Sequence, residues 1–280
     1  MRPRTRIALA ALALAVATPA ARGGEPRPQG PPPEPRERVI VPVFTPEPIP
    51  GVNGASWTTD FWIANQGTDA AVVFGVFWDC MIPECGFVPA SVEPGRTFQP
   101  HLLDEAAAAH GEILYLEQAA QDDVRFGLRF RDLSRQGSTW GTELPVPREE
   151  DFRRRFSLVD VPVEEGFRQT LRIYSLDRIE DVDDVIVRVY RLDPSRDQPS
   201  GDADELLGTS TLSLAYAPLY GSTPIHPGYA EVTDLSTLAP LGDAQRIRLE
   251  IEPVAASLRL WAFVTVIHNE TQHATVITPQ

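Results

Sequence analysis

Two successive runs of short strand-like segments, joined by a charged stretch, constrain the fold of this chain more than any other feature. In each run, β-branched and aromatic segments are interrupted by Pro, Gly, Asp and Asn at the spacing typical of sandwich strands. The first run covers residues 38–147, the charged linker covers residues 148–155, and the second run covers residues 156–280. The sequence therefore predicts an all-β protein of two tandem antiparallel β-sandwich domains, immunoglobulin-like or related.

The two runs also share the order of their hydrophobic patterns. A hairpin pattern at residues 60–78 recurs at residues 170–192, and the closing pair of strands at 112–132 recurs at 245–268. A pattern that recurs in this order indicates an internal duplication.

The closing strands indicate how the domains are arranged. Within residues 123–131, apolar residues alternate with Arg and Gly, which predicts one buried and one hydrated face. Within residues 258–267, both faces are largely apolar, and such a strand has to be covered on both sides. We therefore expect the two domains to be mutually packed. One short helix is predicted at residues 102–110, where four alanines precede His110 and Gly111.

The N-terminal residues have the composition of a secretion signal. Three arginines precede the apolar run from Ile7 to Ala17, and small residues follow it, so residues 1–21 are predicted to be a signal peptide. The run is shorter than the roughly 20 apolar residues that span a bilayer, and no second run of this kind predicts a transmembrane segment. Residues 22–37 are proline-rich and predict a disordered tether. We expect an exported protein, either periplasmic or extracellular.

Charge and missing motifs exclude several classes of function. The formal net charge is −14, which repels phosphate backbones, so nucleic acid is not an expected partner. All 25 basic residues are arginines, which excludes Schiff-base and P-loop lysine chemistry. The motifs of zinc hydrolases, nucleophile elbows, P-loops and dinucleotide-binding turns do not occur. These observations favour a protein without a cofactor and without catalytic activity.

The two cysteines, Cys80 and Cys85, are close in sequence and follow a predicted strand. Because an oxidising compartment favours their pairing, we predict a disulfide bond that closes a small loop.

Tryptophans provide one candidate binding site. Four of the five lie in predicted strands and are expected to be buried: Trp62, Trp78, Trp140 and Trp261. Trp57 is next to Asn53 and Gly54, so it is the tryptophan expected to be exposed. Trp57 and Asn53 are therefore candidate ligand-binding residues, since an exposed indole can stack on a sugar ring.

Acidic turns provide a second candidate site. The residues concerned are Asp181, Asp183, Asp184, Asp202 and Asp204. Clustered carboxylates at loops can bind Ca²⁺, which takes six to eight oxygen ligands. Neither turn has the spacing of a calcium-binding loop, so solvated turns remain the alternative interpretation.

Two segments resemble a group of uncharacterised secreted bacterial proteins. The run from Pro50 to Asn65 fits the pattern G-x-N-G-x-x-W-x-T-D-φ-W-φ-x-N, where φ is apolar, and the run from Leu260 to Pro279 is similar to their closing strand. The resemblance implies a β-sandwich fold and export, and it implies no catalytic residues. The second domain departs from the pattern, since Thr170-Leu-Arg-Ile stands where the tryptophan-bearing strand would be.

These observations predict a secreted, non-catalytic binding, adhesive or structural module of the cell envelope or surface, with a protein or polysaccharide partner. One alternative is a carbohydrate- or calcium-dependent binding protein. A second alternative is a secreted hydrolase with an unrecognised pair of carboxylates.

Overall fold

Strands alternate with short loops throughout the part of the protein that the computed structural model describes, which is residues 36–45, 47–75, 88–100, 110–135, 140–192, 204–216 and 226–280. Several predictions concern residues outside these ranges. They are the signal peptide, the tether up to residue 35, the cysteine pair, Trp78, the helix at residues 102–109, and Asp202.

Seventeen strands and five short 3₁₀ helices occur in the described residues. In the N-terminal half (residues 36–147) the strands are β1 (Arg36–Val41), β2 (Ile49–Pro50), β3 (Ser56–Asn65), β4 (Ala71–Gly75), β5 (Val88–Val92), β6 (Thr97–Phe98), β7 (Glu112–Glu117), β8 (Val124–Asp132) and β9 (Thr142–Leu144). In the C-terminal half (residues 156–280) they are β10 (Phe156–Pro162), β11 (Phe167–Ser175), β12 (Val182–Leu192), β13 (Glu205–Ala215), β14 (Gly228–Val232), β15 (Arg246–Pro253), β16 (Trp261–His268) and β17 (Ala274–Ile277). The 3₁₀ helices are Val52–Gly54, Gln118–Ala120, Leu133–Arg135, Glu149–Asp151 and Leu235–Thr237.

All described strand pairs are antiparallel, which confirms the predicted all-β class. None of the helices within the described ranges is long and apolar enough to cross a membrane.

Apart from β2, which pairs with β3 and has no counterpart in the C-terminal half, the order of the described strands is the same in the two halves. In the N-terminal half, one sheet has the order β1-β7-β4-β5, and the other contains β3 between β6 and β8, with β9 beyond β8. In the C-terminal half, the corresponding orders are β10-β15-β12-β13 and β14-β11-β16-β17. There the two sets are connected by one residue pair, Ala215 with Tyr229, so they form a single eight-stranded sheet.

Strand β16 shows why the two halves are in contact. Its side chains are buried on both faces from Trp261 to Val266, as its apolar sequence predicts. Ala262 and Val264 belong to the core of the C-terminal half, whereas Trp261 and Phe263 belong to a buried cluster that consists mainly of N-terminal residues. One face of β16 therefore packs inside its own half and the other packs against the N-terminal half.

Polar contacts join the halves at the same boundary. The buried Tyr174 hydroxyl of β11 donates to the Pro42 carbonyl at 2.6 Å. The His226 ring nitrogen Nδ1 lies 2.8 Å from the Gly111 carbonyl oxygen. These contacts fix the position of one half against the other within the described residues.

Candidate functional site

Trp57 is buried, so the expectation that it is the exposed tryptophan is wrong. Only 6% of its surface is exposed. Its indole stacks on Phe130 with ring centroids 4.4 Å apart, and it belongs to a small apolar cluster with Ala274, against which Ile267 packs. Because Ala274 and Ile267 come from the C-terminal half, contact between the halves removes Trp57 from solvent.

Asn53 lies in the 3₁₀ helix Val52–Gly54 just before β3, and its side chain is engaged within the chain. Its backbone has the left-handed conformation (φ 57°), which asparagine tolerates better than most residues. The Asn53 side-chain amide donates to the carbonyl of Asn269 at 3.0 Å. This hydrogen bond connects the turn before β3 to the turn between β16 and β17, so Asn53 contributes to the contact between the halves.

Trp140, which the sequence predicts to be buried within a strand, is 81% exposed. The sequence pattern predicts a strand at residues 138–145, but β9 begins only at Thr142. Gly141 has φ +82°, and a Cβ atom there would lie 2.4 Å from both the Phe130 carbonyl oxygen and Arg131 Cγ. The chain thus turns sharply over β8 just after Trp140, and the indole remains in solvent.

Trp62 forms the second aromatic surface on this side of the sheet. Its side chain is half-buried, and its neighbour across the β3–β8 pair is Gly127. A Cβ atom on Gly127 would lie 2.0 Å from Trp62 Cε2 and Cζ2, a distance much shorter than any van der Waals contact. The indole therefore lies directly on the backbone of β8, and only glycine at position 127 permits this.

Arg129 connects the two tryptophans. Its guanidinium carbon is 5.7 Å from the Trp62 ring centroid and 5.8 Å from that of Trp140, which are cation–π distances. The guanidinium also pairs with Glu143 at 3.1 Å, and the neighbouring Arg131 pairs with Asp60 at 2.9 Å. We call this surface the aromatic–arginine face; its members are Asp60, Trp62, Arg129, Arg131, Trp140 and Glu143.

Strand pairing shows what else points outward on this side. The residues that share the outer face of β3, β6, β8 and β9 with these six are Ser56, Thr58, Ala64, Thr97, Arg125 and Gly127. Among the described residues of this face, none is Leu, Ile, Val, Met or Phe. Tryptophan faces and paired charges are thus the groups that a ligand would meet.

The predicted acidic residues do not converge. Asp181 is exposed and pairs with Arg178 at 2.8 Å, and Asp184 accepts a hydrogen bond from Ser213. Asp204 accepts one from Arg248, on another part of the sheet. Within the described ranges, no group of three or more His, Cys, Asp or Glu residues could hold a metal ion.

Asp183, in contrast, is buried and structural. It accepts a hydrogen bond from the Tyr216 hydroxyl at 2.7 Å and one from the backbone N–H of Ile179 at 3.2 Å. Burial, and next the Asp183 carboxylate, raise the pKa of Tyr216, so this hydroxyl stays protonated and keeps donating. The pair closes the turn before β12.

A cleft of about 410 Å³ contains two carboxylates whose pKa values are shifted in opposite directions. Burial raises the pKa of Glu37, which pairs with Arg148 at 2.7 Å. Hydrogen bonds, first from Arg38 and then from Arg259, lower the pKa of Glu149 to about 2. Opposite shifts can mark an acid and a base, but both carboxylates here are already bound by arginines of the chain. The arrangement fits an ion-pair cluster that joins the two halves.

Comparison of the chain with protein-family models, with curated proteins and with solved structures finds no match.

Proposed function

We propose that this protein is an exported, non-catalytic binding module of the cell envelope or surface, and that it contacts its ligand through the aromatic–arginine face. The observation that carries the proposal is the exposure of Trp140 together with a second tryptophan, Trp62, whose ring lies against the β8 backbone on the other side of Arg129. Exposure of the apolar indole surface to water is unfavourable in free energy, and binding of a ligand would remove that exposure. Tryptophan and arginine are also among the residues that most often dominate binding energy. The paired charges supply hydrogen-bonding groups at the same place.

The fold proposed for this module is a pair of immunoglobulin-like or related β-sandwich domains that arose by duplication. The repeated strand order supports it, because corresponding strands have corresponding neighbours in the two halves. Two separate buried clusters, one centred in each half, also support it. The contacts of Tyr174 and Trp261 with the N-terminal half support mutual packing of the domains.

Export is supported by the N-terminal residues of the sequence. The arginines, the apolar run and the small residues that follow have the order of a cleaved signal, and the proline-rich segment suits a spacer that holds a binding module away from its attachment. The partner is a component of the envelope or of the cell's surroundings.

The test is retention of the purified protein on isolated cell-envelope material from the producing organism. We expect the wild-type protein to be retained and Trp140→Ala to be lost from the pellet. Val254→Ala is the matched control, because Val254 is also an exposed apolar residue (59%) but lies in the C-terminal half. Absence of retention, or equal retention of the Trp140 variant and the wild type, would overturn the proposal.

A further inference from the structure

We infer that the ligand of the aromatic–arginine face is a neutral polysaccharide chain, an inference that rests on the proposed binding function. Trp62 on β3, Arg129 on β8 and Trp140 just before β9 form a row across three neighbouring strands. Neighbouring strands are about 4.8 Å apart, so the row extends roughly 10 Å across the sheet. Such a row is longer than a single sugar ring, so a ligand that contacts both tryptophans must be a chain of sugars.

The chemistry of the face matches that of a sugar chain. A pyranose ring presents apolar C–H groups on its faces and hydroxyl groups around its rim. The C–H groups are attracted to the negative faces of the Trp62 and Trp140 rings. Hydroxyl groups both donate and accept hydrogen bonds, so they can bind to the arginine N–H groups and carboxylate oxygens of the Arg129–Glu143 and Arg131–Asp60 pairs.

Other partners match the face less well. The buried centre of a protein interface is largely apolar, but the described outward residues here include no large aliphatic side chain. Anionic polymers are disfavoured because Arg129 and Arg131 already have carboxylate partners and the whole chain has a net charge of −14. A neutral chain that meets both rings and both ion pairs is the ligand that these groups favour.

Gly127 is a positioning residue in this arrangement. It presents no side chain to a ligand, but its lack of a Cβ atom lets the Trp62 indole lie against the β8 backbone. Gly127→Ala must displace the indole, because the new Cβ would lie 2.0 Å from two ring atoms. The ring can swing outward into solvent, so the variant tests the geometry of the row and not the fold.

Affinity electrophoresis tests the inference with the full chain in native gels that contain xyloglucan, glucomannan, galactomannan or dextran, with alginate as the anionic comparison. We expect at least one neutral polysaccharide to retard the wild-type protein and alginate to have no effect. Trp140→Ala, Arg129→Gln and Gly127→Ala should each weaken binding about tenfold, which corresponds to about 1.4 kcal/mol.

Two controls are available in the C-terminal half. Val254→Ala removes an exposed apolar side chain, and Arg246→Gln breaks an exposed arginine–carboxylate pair, the one with Asp160. Both variants should bind like the wild type. Retardation by none of the neutral polysaccharides, or only by alginate, overturns the inference, and so does binding that the three face variants leave unchanged.

The outcomes separate this inference from the proposed function. Envelope retention can depend on Trp140 while no neutral polysaccharide binds, or protease treatment of the envelope can remove retention. In either case the inference of a polysaccharide ligand is refuted, but the proposal that this face binds a ligand is not. If envelope retention does not depend on Trp140, the face itself is wrong.

Discussion

Replacing Trp57 with alanine should destabilise the protein strongly, although the sequence places this residue beside a surface turn. Trp57 is 6% exposed and its ring stacks on Phe130. A tryptophan buries roughly 150–250 Å², and about 25 cal/mol per Å² converts this to about 4–6 kcal/mol. That figure is an upper estimate, because the unfolded chain already buries part of its apolar surface. We therefore expect Trp57→Ala to lose about 3–5 kcal/mol of unfolding free energy, the usual cost of truncating a buried tryptophan.

Urea unfolding followed by far-ultraviolet circular dichroism measures this loss without relying on tryptophan fluorescence, which the substitution itself changes. In thermal unfolding, we expect the midpoint of Trp57→Ala to fall by about 10 °C, at roughly 2–4 °C per kcal/mol for a chain of this size. Trp140→Ala is the matched control, and because Trp140 is 81% exposed it should change stability by about 0.5 kcal/mol or less. A loss below about 1 kcal/mol for Trp57→Ala, or equal losses for both variants, would refute the placement of these two residues.

Two further predictions concern the boundary between the halves. Tyr174→Phe should lower the free energy of unfolding by about 1–3 kcal/mol, because it leaves the buried Pro42 carbonyl without its hydroxyl donor. Tyr190→Phe, at a half-buried tyrosine, is the control. Equal unfolding free energies of the two variants would contradict the prediction. Hydrogen bonds, first from Arg38, lower the pKa of Glu149 from 4.5 to about 2, so its contribution to stability is present above about pH 4.5 and is lost as the pH falls towards 2. Its side chain is 29% exposed and partly screened by solvent, so we expect this carboxylate to contribute about 1–2 kcal/mol of unfolding free energy. In urea titrations, the unfolding free energy of Glu149→Gln should therefore fall by about that much less than that of the wild type between pH 5 and pH 2.5. Parallel pH profiles of the wild type and Glu149→Gln would show that the ion pair contributes nothing.

Strands with a clear pattern of apolar and polar residues could be predicted from the sequence. The sequence predicts strands at residues 56–65 and 167–176; β3 is observed at Ser56–Asn65, and β11 ends one residue earlier than its prediction. The two apolar faces of β16 correctly indicated that a second layer covers it. Two of the described strands were not predicted, β2 (Ile49–Pro50) and β5 (Val88–Val92), and both contain proline, which weakens a strand signal.

The sequence predicts the wrong exposed tryptophan because exposure depends on contacts that are distant in sequence. The turn signals beside Trp57 are real, since Asn53 and Gly54 both have positive φ. However, this turn folds against the turn between β16 and β17, more than two hundred residues away, which covers Trp57. Trp140 shows the reverse error, because its sequence context predicts a buried strand residue and the structure leaves it exposed. Gly141, with φ +82°, ends the extended conformation, and this glycine is the sequence signal that could have identified the exposed ring.

Corresponding strands of the two halves carry different contacts on their outer faces. β3 and β8 of the N-terminal half correspond to β11 and β16 of the C-terminal half. On the outer face of β11 and β16, Tyr174 pairs with Trp261 and Arg172 with Phe263, and three of these side chains are buried against the N-terminal half. The same face of β3 and β8 carries Trp62 and Arg129, and Arg129 lies beside the exposed Trp140. Aromatic residues on this face therefore form the contact between the halves in the C-terminal half, and in the N-terminal half they lie beside the exposed Trp140, which we propose binds a ligand.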